Sequence, residues 1–167
     1  SKYTNPNYKY VTYYPSSWTY GNIDSNYRDI LFTSLSGESI EIKIFDLIGN
    51  ESFTDWFAKY AKEEKMSSLT DFVSVFSQKG KVRDDRLVYY FVENSQVYVF
   101  VYHAGKDNQV NFISVMEMMA RSFKTKDNSF VKIWPEIKNT QTNTSTTSTI
   151  SVNTSTVSVN TTTIGTS

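Results

Sequence analysis

Arg86–His103, RLVYYFVENSQVYVFVYH, holds two apolar runs of strand length divided only by Asn94-Ser95. A two-residue break between such runs predicts a tight β-hairpin. In that register Glu93 faces Gln96, Phe91 faces Tyr98, Tyr89 faces Phe100 and Leu87 faces Tyr102. The alternate positions pair Val92 with Val97, Tyr90 with Val99 and Val88 with Val101. Because side chains alternate along a strand, one face is aromatic and the other largely valine. A hairpin with one wet face would carry polar residues on that face. This one carries almost none, which predicts central strands in a sheet covered on both sides.

The neighbouring segments supply the rest of that sheet and its cover. Tyr8–Tyr14 reads as a strand stopped by Pro15, whose ring removes a ladder donor. Asp29–Leu35 and Ser39–Leu47 read as a second hairpin around Ser36-Gly37-Glu38, with Ile40, Ile42 and Ile44 on one face and Glu41 and Lys43 on the other. Ser52 and Thr54 are cap residues, and Phe53, Phe57, Tyr60 and Ala61 recur at helical spacing, so Thr54–Lys65 is expected to be an amphipathic helix. Phe72–Gln78 reads as a further strand ended by Lys79-Gly80-Lys81. Asp107 or Asn108 is expected to cap a last helix whose apolar stripe is Phe112, Met116, Met119, Ala120 and Phe123. The expected class is α+β: an antiparallel sheet of about six strands with helices on both faces, followed by an extended Thr/Ser-rich tail.

That tail begins at a sharp change of composition. Every Phe, Trp, Tyr, Lys, Arg, Asp and Glu lies at or before Lys138. Residues 1–138 are therefore read as a globular domain, leaving through Phe130–Trp134 and Pro135. Residues 139–167 are read as a Thr/Ser/Asn-rich tail acting as a stalk or a donor strand. Such a composition buries too little apolar surface to offset an ordering entropy of roughly 1–2 kcal/mol per residue. The tail also holds a near repeat, ISVNTST then VSVNTTT. Ile150, Val157 and Ile164 recur at intervals of seven, with Val152 and Val159 two residues after the first two. Seven is odd, so the repeat suits two short strands better than one long one, and either would suit addition to a sheet edge. Four N-x-[ST] sequons mark Asn50, Asn143, Asn153 and Asn160 as candidate glycosylation sites.

Tyr3-Thr4-Asn5, Tyr8 and Tyr14-Pro15-Ser16-Ser17-Trp18, followed at the far end by Arg121-Ser122-Phe123-Lys124, resemble the opening and closing motifs of PsbP-like domains. The resemblance spans about residues 3–124. That family includes the lumenal photosystem II extrinsic protein and many exported bacterial and archaeal proteins. It implies an antiparallel sheet between helix layers, in agreement with the hairpin reading, and an exported, non-enzymatic protein that binds other proteins.

Little in the residues points to chemistry. With 17 basic and 17 acidic residues the formal charge is +0, and no basic run tracks a nucleic-acid backbone. There is no cysteine for a disulfide, thiolate metal site or nucleophile, and no apolar run approaches the ~20 residues of a membrane span. His103, the one histidine, has Glu93 at the far end of its hairpin and Asp107 in the next loop, so it reads as an ordinary strand-end histidine. Asp24, Asp29, Asp84 and Asp85 form no calcium loop and read as solvated turn acids. Trp18, Trp56 and Trp134 read as core, as do Met116 and Met119, with Met118 facing out. No cofactor or metal is expected. The function expected is an extracytoplasmic surface protein, its PsbP-like head on a glycosylated stalk and its partners other surface proteins or its own copies. The alternative is a filament subunit joined by tail-strand complementation.

Overall fold

The computed structural model describes residues 1–125, in nine strands, two α-helices and a short 3-10 turn. A two-stranded ribbon comes first, β1 (Lys2–Thr4) with β2 (Val11–Tyr13). The main sheet is built from β3 (Thr19–Asn22), β4 (Asp29–Thr33), β5 (Ser39–Asp46), β6 (Leu69–Val73), β7 (Lys79–Arg83), β8 (Val88–Glu93) and β9 (Gln96–His103). Its order is β3-β4-β5-β9-β8-β7-β6, with every pair antiparallel. Helices α1 (Phe53–Tyr60) and α2 (Ile113–Arg121) complete the described chain. The class is α+β, as expected, with seven strands in the main sheet rather than six.

The β8–β9 hairpin has the register its sequence dictates, from Val88↔Val101 to Glu93↔Gln96. Asn94 and Ser95 both take positive φ, +50° and +58°, as a type I′ turn requires. Strand β9 lies at the centre of the sheet and pairs along its whole length with β5. The aromatic face of the hairpin joins Ile40, Ile42 and Ile44 of β5 under Met116, Met119 and Ala120 of α2. The valine face, with Val88, Val97 and Val99, lies under Trp56 and Phe57 of α1. Both cores are buried where the helices sit, and the two helices cover opposite faces.

Four segments differ from the sequence expectation. Tyr8–Tyr14 contributes only Val11–Tyr13, and to the ribbon instead of the main sheet. The Asn5 carboxamide oxygen accepts the Asn7 and Tyr8 N–H groups, and Lys9 takes φ +59°, so residues 5–9 are a turn. The ribbon then packs beside α2: Thr12 Oγ1 donates to the Met119 carbonyl at 2.8 Å, and Val11 and Lys124 exchange backbone bonds. Helix α1 stops at Tyr60, because two turns already lay Phe53, Trp56, Phe57 and Tyr60 on the sheet; the charged run Lys62–Lys65 follows outside it. The turn expected at Lys79-Gly80-Lys81 lies earlier, where Ser74 N–H donates to the Gln78 carbonyl at 2.9 Å and Ser74 Oγ accepts from Phe76 and Gln78. Gly80 itself is mid-strand. A Cβ there would stand 2.5 Å from the Tyr90 carbonyl oxygen and 2.7 Å from the Phe91 ring, a close approach only glycine permits. Finally, neither Asp107 nor Asn108 caps a helix: Asp107 accepts from Gln109 N–H in a loop, and α2 begins at Ile113 with Phe112 at its cap position and no side-chain cap bond.

Candidate functional site

The half of the valine face beyond α1 carries a charged cluster. The alternation of β5 that buries Ile40, Ile42 and Ile44 on the α2 side sends Glu41 and Lys43 to the other. Pairing with β4 sets Asp29 opposite Lys43, and pairing with β9 sets Ser39 opposite His103 and Glu41 opposite Val101. Glu41 and His103 are thus diagonal neighbours on one face. His103 Nε2 lies 2.8 Å from Glu41 Oε2, and Lys43 Nζ lies 3.1 Å from Glu41 Oε1 and 3.7 Å from Asp29 Oδ2. The Glu41 side chain is only 9% exposed, whereas His103 is 46% exposed.

Burial pushes the Asp29 carboxyl up to about 6, helped by a hydrogen bond to Glu41 and by the charge of Glu41. For Glu41 burial works in the same upward direction, but the bonds from His103 and Lys43 outweigh it and its carboxyl titrates below its ordinary value. Of the two carboxyl groups, Asp29 is therefore the one that holds a proton, below about pH 6, while Glu41 stays ionised. Asp29 Oδ1 is buried and has no hydrogen-bond partner among the described residues, in keeping with the burial that raises its carboxyl. Tyr60, at the end of α1, closes one side of the cluster, its hydroxyl raised by burial with Lys43 and Glu41 close by.

This arrangement holds a charge ladder in place, and its one imidazole is bound to a carboxylate. Among the described residues, the hydrogen-bond partner of His103 is the Glu41 carboxylate. The remaining candidates fall as turn and core residues. Asp24 Oδ1 accepts the Arg28 and Asp29 N–H groups, and Asp85 accepts Leu87 N–H and pairs with Arg83. Among the described residues no three His, Asp or Glu side chains are grouped to hold a metal ion. Trp18 is buried edge-on against Phe112, and Trp56 stacks on Tyr60 at 4.7 Å. Met116 and Met119 are buried and Met118 is exposed, as the helical stripe requires.

Asn50 is exposed in the turn before α1, two residues from Ser52, which caps the helix by accepting the Asp55 N–H. Asn143, Asn153, Asn160 and the strand-addition residues Ile150, Val152, Val157, Val159 and Ile164 lie outside the described residues, as does Trp134. Sequence reasoning missed Glu41 as the partner of His103. The alternation that sets Glu41 on the polar face was visible, but β5 and β9 are separated by three strands and a helix, and their pairing was not.

Sheet order, the ribbon and the two helix layers together define a PsbP-like fold. A cyanobacterial PsbP (CyanoP) from Synechocystis sp. PCC 6803 is similar, with a TM-score of 0.51 at 14% sequence identity, over 75% of this chain and 91% of that one. A crystal structure from Bacteroides thetaiotaomicron VPI-5482 is matched over 75% of this chain and 48% of its own, with a TM-score of 0.47 at 13% identity. No family model and no curated protein matches the sequence.

Proposed function

We propose that this chain is an exported cell-surface protein whose PsbP-like domain is a non-enzymatic protein-interaction head, carried on a glycosylated Thr/Ser/Asn-rich stalk. The observation that carries this reading is the PsbP-like fold, in a sequence whose residues 3–18 and 121–124 resemble the opening and closing motifs of PsbP-like domains. One feature supports it. The Asn50 sequon stands exposed in a turn, where a glycan has room, and the tail supplies three more sequons.

Intact-mass measurement on protein taken from the surface fraction of its native host tests the reading. A mass above the bare polypeptide by whole glycans, lost on Asn50→Gln, Asn143→Gln, Asn153→Gln and Asn160→Gln, is expected. A bare mass, or recovery from the cytosol alone, would overturn it. The second reading, a filament subunit joined by its tail, is favoured by one observation: among the described residues, β6 is an edge strand with no strand on its outer side.

A further inference from the structure

Among the described residues, the outer side of β6 is an open ladder beside an apolar groove. Ser74 N–H bonds to the Gln78 carbonyl, and Leu69 N–H turns back to Met66, so the alternation of an antiparallel pair sends the N–H and C=O groups of Asp71 and Val73 away from β7. Among the described residues nothing accepts or donates to them along the backbone. Such an edge is a template for a further strand. Val75 N–H donates to the Arg121 carbonyl at 2.8 Å, which ties the end of β6 to the end of α2. Between them runs a groove of about 470 Å³ whose apolar walls are Val75 and Met118, 54% and 40% exposed. Its two charges, Glu117 and Arg121, lie 2.7 Å apart and satisfy each other. The groove therefore favours an occupant that is uncharged, extended and apolar on alternate residues.

The same chain contains that occupant twice. Ile150–Val152 and Val157–Val159 alternate Ile or Val with Ser in a segment without charge. The described chain ends at Thr125, whose hydroxyl bonds to Gln78 at the β6–β7 connection. The 24 residues from 126 to 149 reach up to ~80 Å at ~3.3 Å each, more than twice the ~30 Å breadth of a domain this size. Each copy thus offers one β6 edge and two matching segments, so a copy whose own edge is filled still has a segment for a neighbour.

We infer that the β6 edge and its groove accept, as an eighth strand, one of these segments from the tail of a second copy. The inference rests on the filament reading and names its acceptor. The added backbone bonds to Asp71 and Val73, and the Ile and Val side chains of the segment enter the groove against Val75 and Met118.

Because the chain has no cysteine, single-cysteine variants of the full chain test this cleanly. Val73→Cys marks the edge on the face away from the groove, and Ser158→Cys marks the tail without touching Val157 or Val159. Mixing the two with a short bismaleimide should give a covalent dimer far above the yield from either alone. Adding Met118→Glu to the Val73→Cys variant should abolish it, with the thermal transition of the variant as the check that it folds. Thr19→Cys, on the opposite edge strand, should give none. Absence of the mixed dimer both with Ser158→Cys and with Ser151→Cys, which marks the Ile150–Val152 segment in the same way, would overturn the inference, as would equal capture by Thr19→Cys. A Val73→Cys/Ser158→Cys double variant that links only within a monomer would assign the edge to its own tail and overturn the inference equally. The glycan measurement is independent. A bare native mass with a mixed dimer sinks the stalk and leaves the acceptor standing, and glycans without a mixed dimer do the reverse.

Discussion

Gly80→Ala separates the structure from the bare sequence, because the sequence places Gly80 in a turn and the structure places it in β7. In a turn with ordinary φ, alanine stabilises by about 0.4–1 kcal/mol through the unfolded chain. In the structure the new methyl meets the Tyr90 carbonyl oxygen at 2.5 Å and Phe91 ring carbons at 2.7 and 2.9 Å. The first is backbone and the second belongs to a fully buried ring packed on Phe72, Phe100 and Phe123, so neither yields without moving the sheet. Overpacking of that kind costs about 1–3 kcal/mol, and a backbone clash belongs at the upper end. Gly21→Ala is the internal control, since nothing stands within 4 Å of its Cβ and its φ is not positive. Urea denaturation of the two variants reads the difference, where about 2 kcal/mol moves the midpoint by roughly 1 M. The expected result is a midpoint well below the parent for Gly80→Ala and at or slightly above it for Gly21→Ala. Equal midpoints would refute the placement of Lys79–Arg83 against β8.

Asp29→Asn should change how stability depends on pH. A carboxyl raised from 3.8 to about 6 by folding contributes stability that is complete below pH 4 and is lost as pH rises through 6. The parent should therefore lose about 2 kcal/mol between pH 4 and 7 that the asparagine variant keeps, as chemical denaturation at each pH will read. Ser52→Ala should cost about 1 kcal/mol by uncapping α1, whereas Asn50→Gln should leave stability unchanged, although both destroy the same sequon; thermal melts of unglycosylated protein separate the two roles. A chain ending at Lys138 should still melt in one cooperative transition by calorimetry, because every aromatic and charged residue is retained.

What the sequence made legible was whatever is local and periodic. The hairpin register followed from Asn94-Ser95 and the parity of the flanking residues. The buried stripe of α2 followed from helical spacing, and the outward Met118 with it. The ribbon and β3 were illegible for a different reason. Thr19–Asn22 is exposed at every position, so no burial pattern distinguishes it from loop, and it is a strand only because β4 lies beside it. Lys2–Thr4 is likewise defined by its partner. Gly80 was misread because a glycine between lysines signals a turn, and the ring that excludes a side chain there arrives from Phe91, eleven residues on. The Glu41–His103 contact required the pairing of β5 with β9, a long-range fact that no short window contains.

A sheet buried on both faces is the premise of the fold, and neighbouring residues of β9 test it directly. Val99 and Phe100 are both fully buried, Val99 under α1 and Phe100 under α2. Val99→Asp and Phe100→Asp each put an unpaired carboxylate into a buried core, at a cost of about 4 kcal/mol or more. Guanidinium unfolding of the two full-length variants should find both severely destabilised or unfolded. If either tolerated its aspartate within about 1 kcal/mol of the parent, that face would be open to water and the two-layer fold would be wrong.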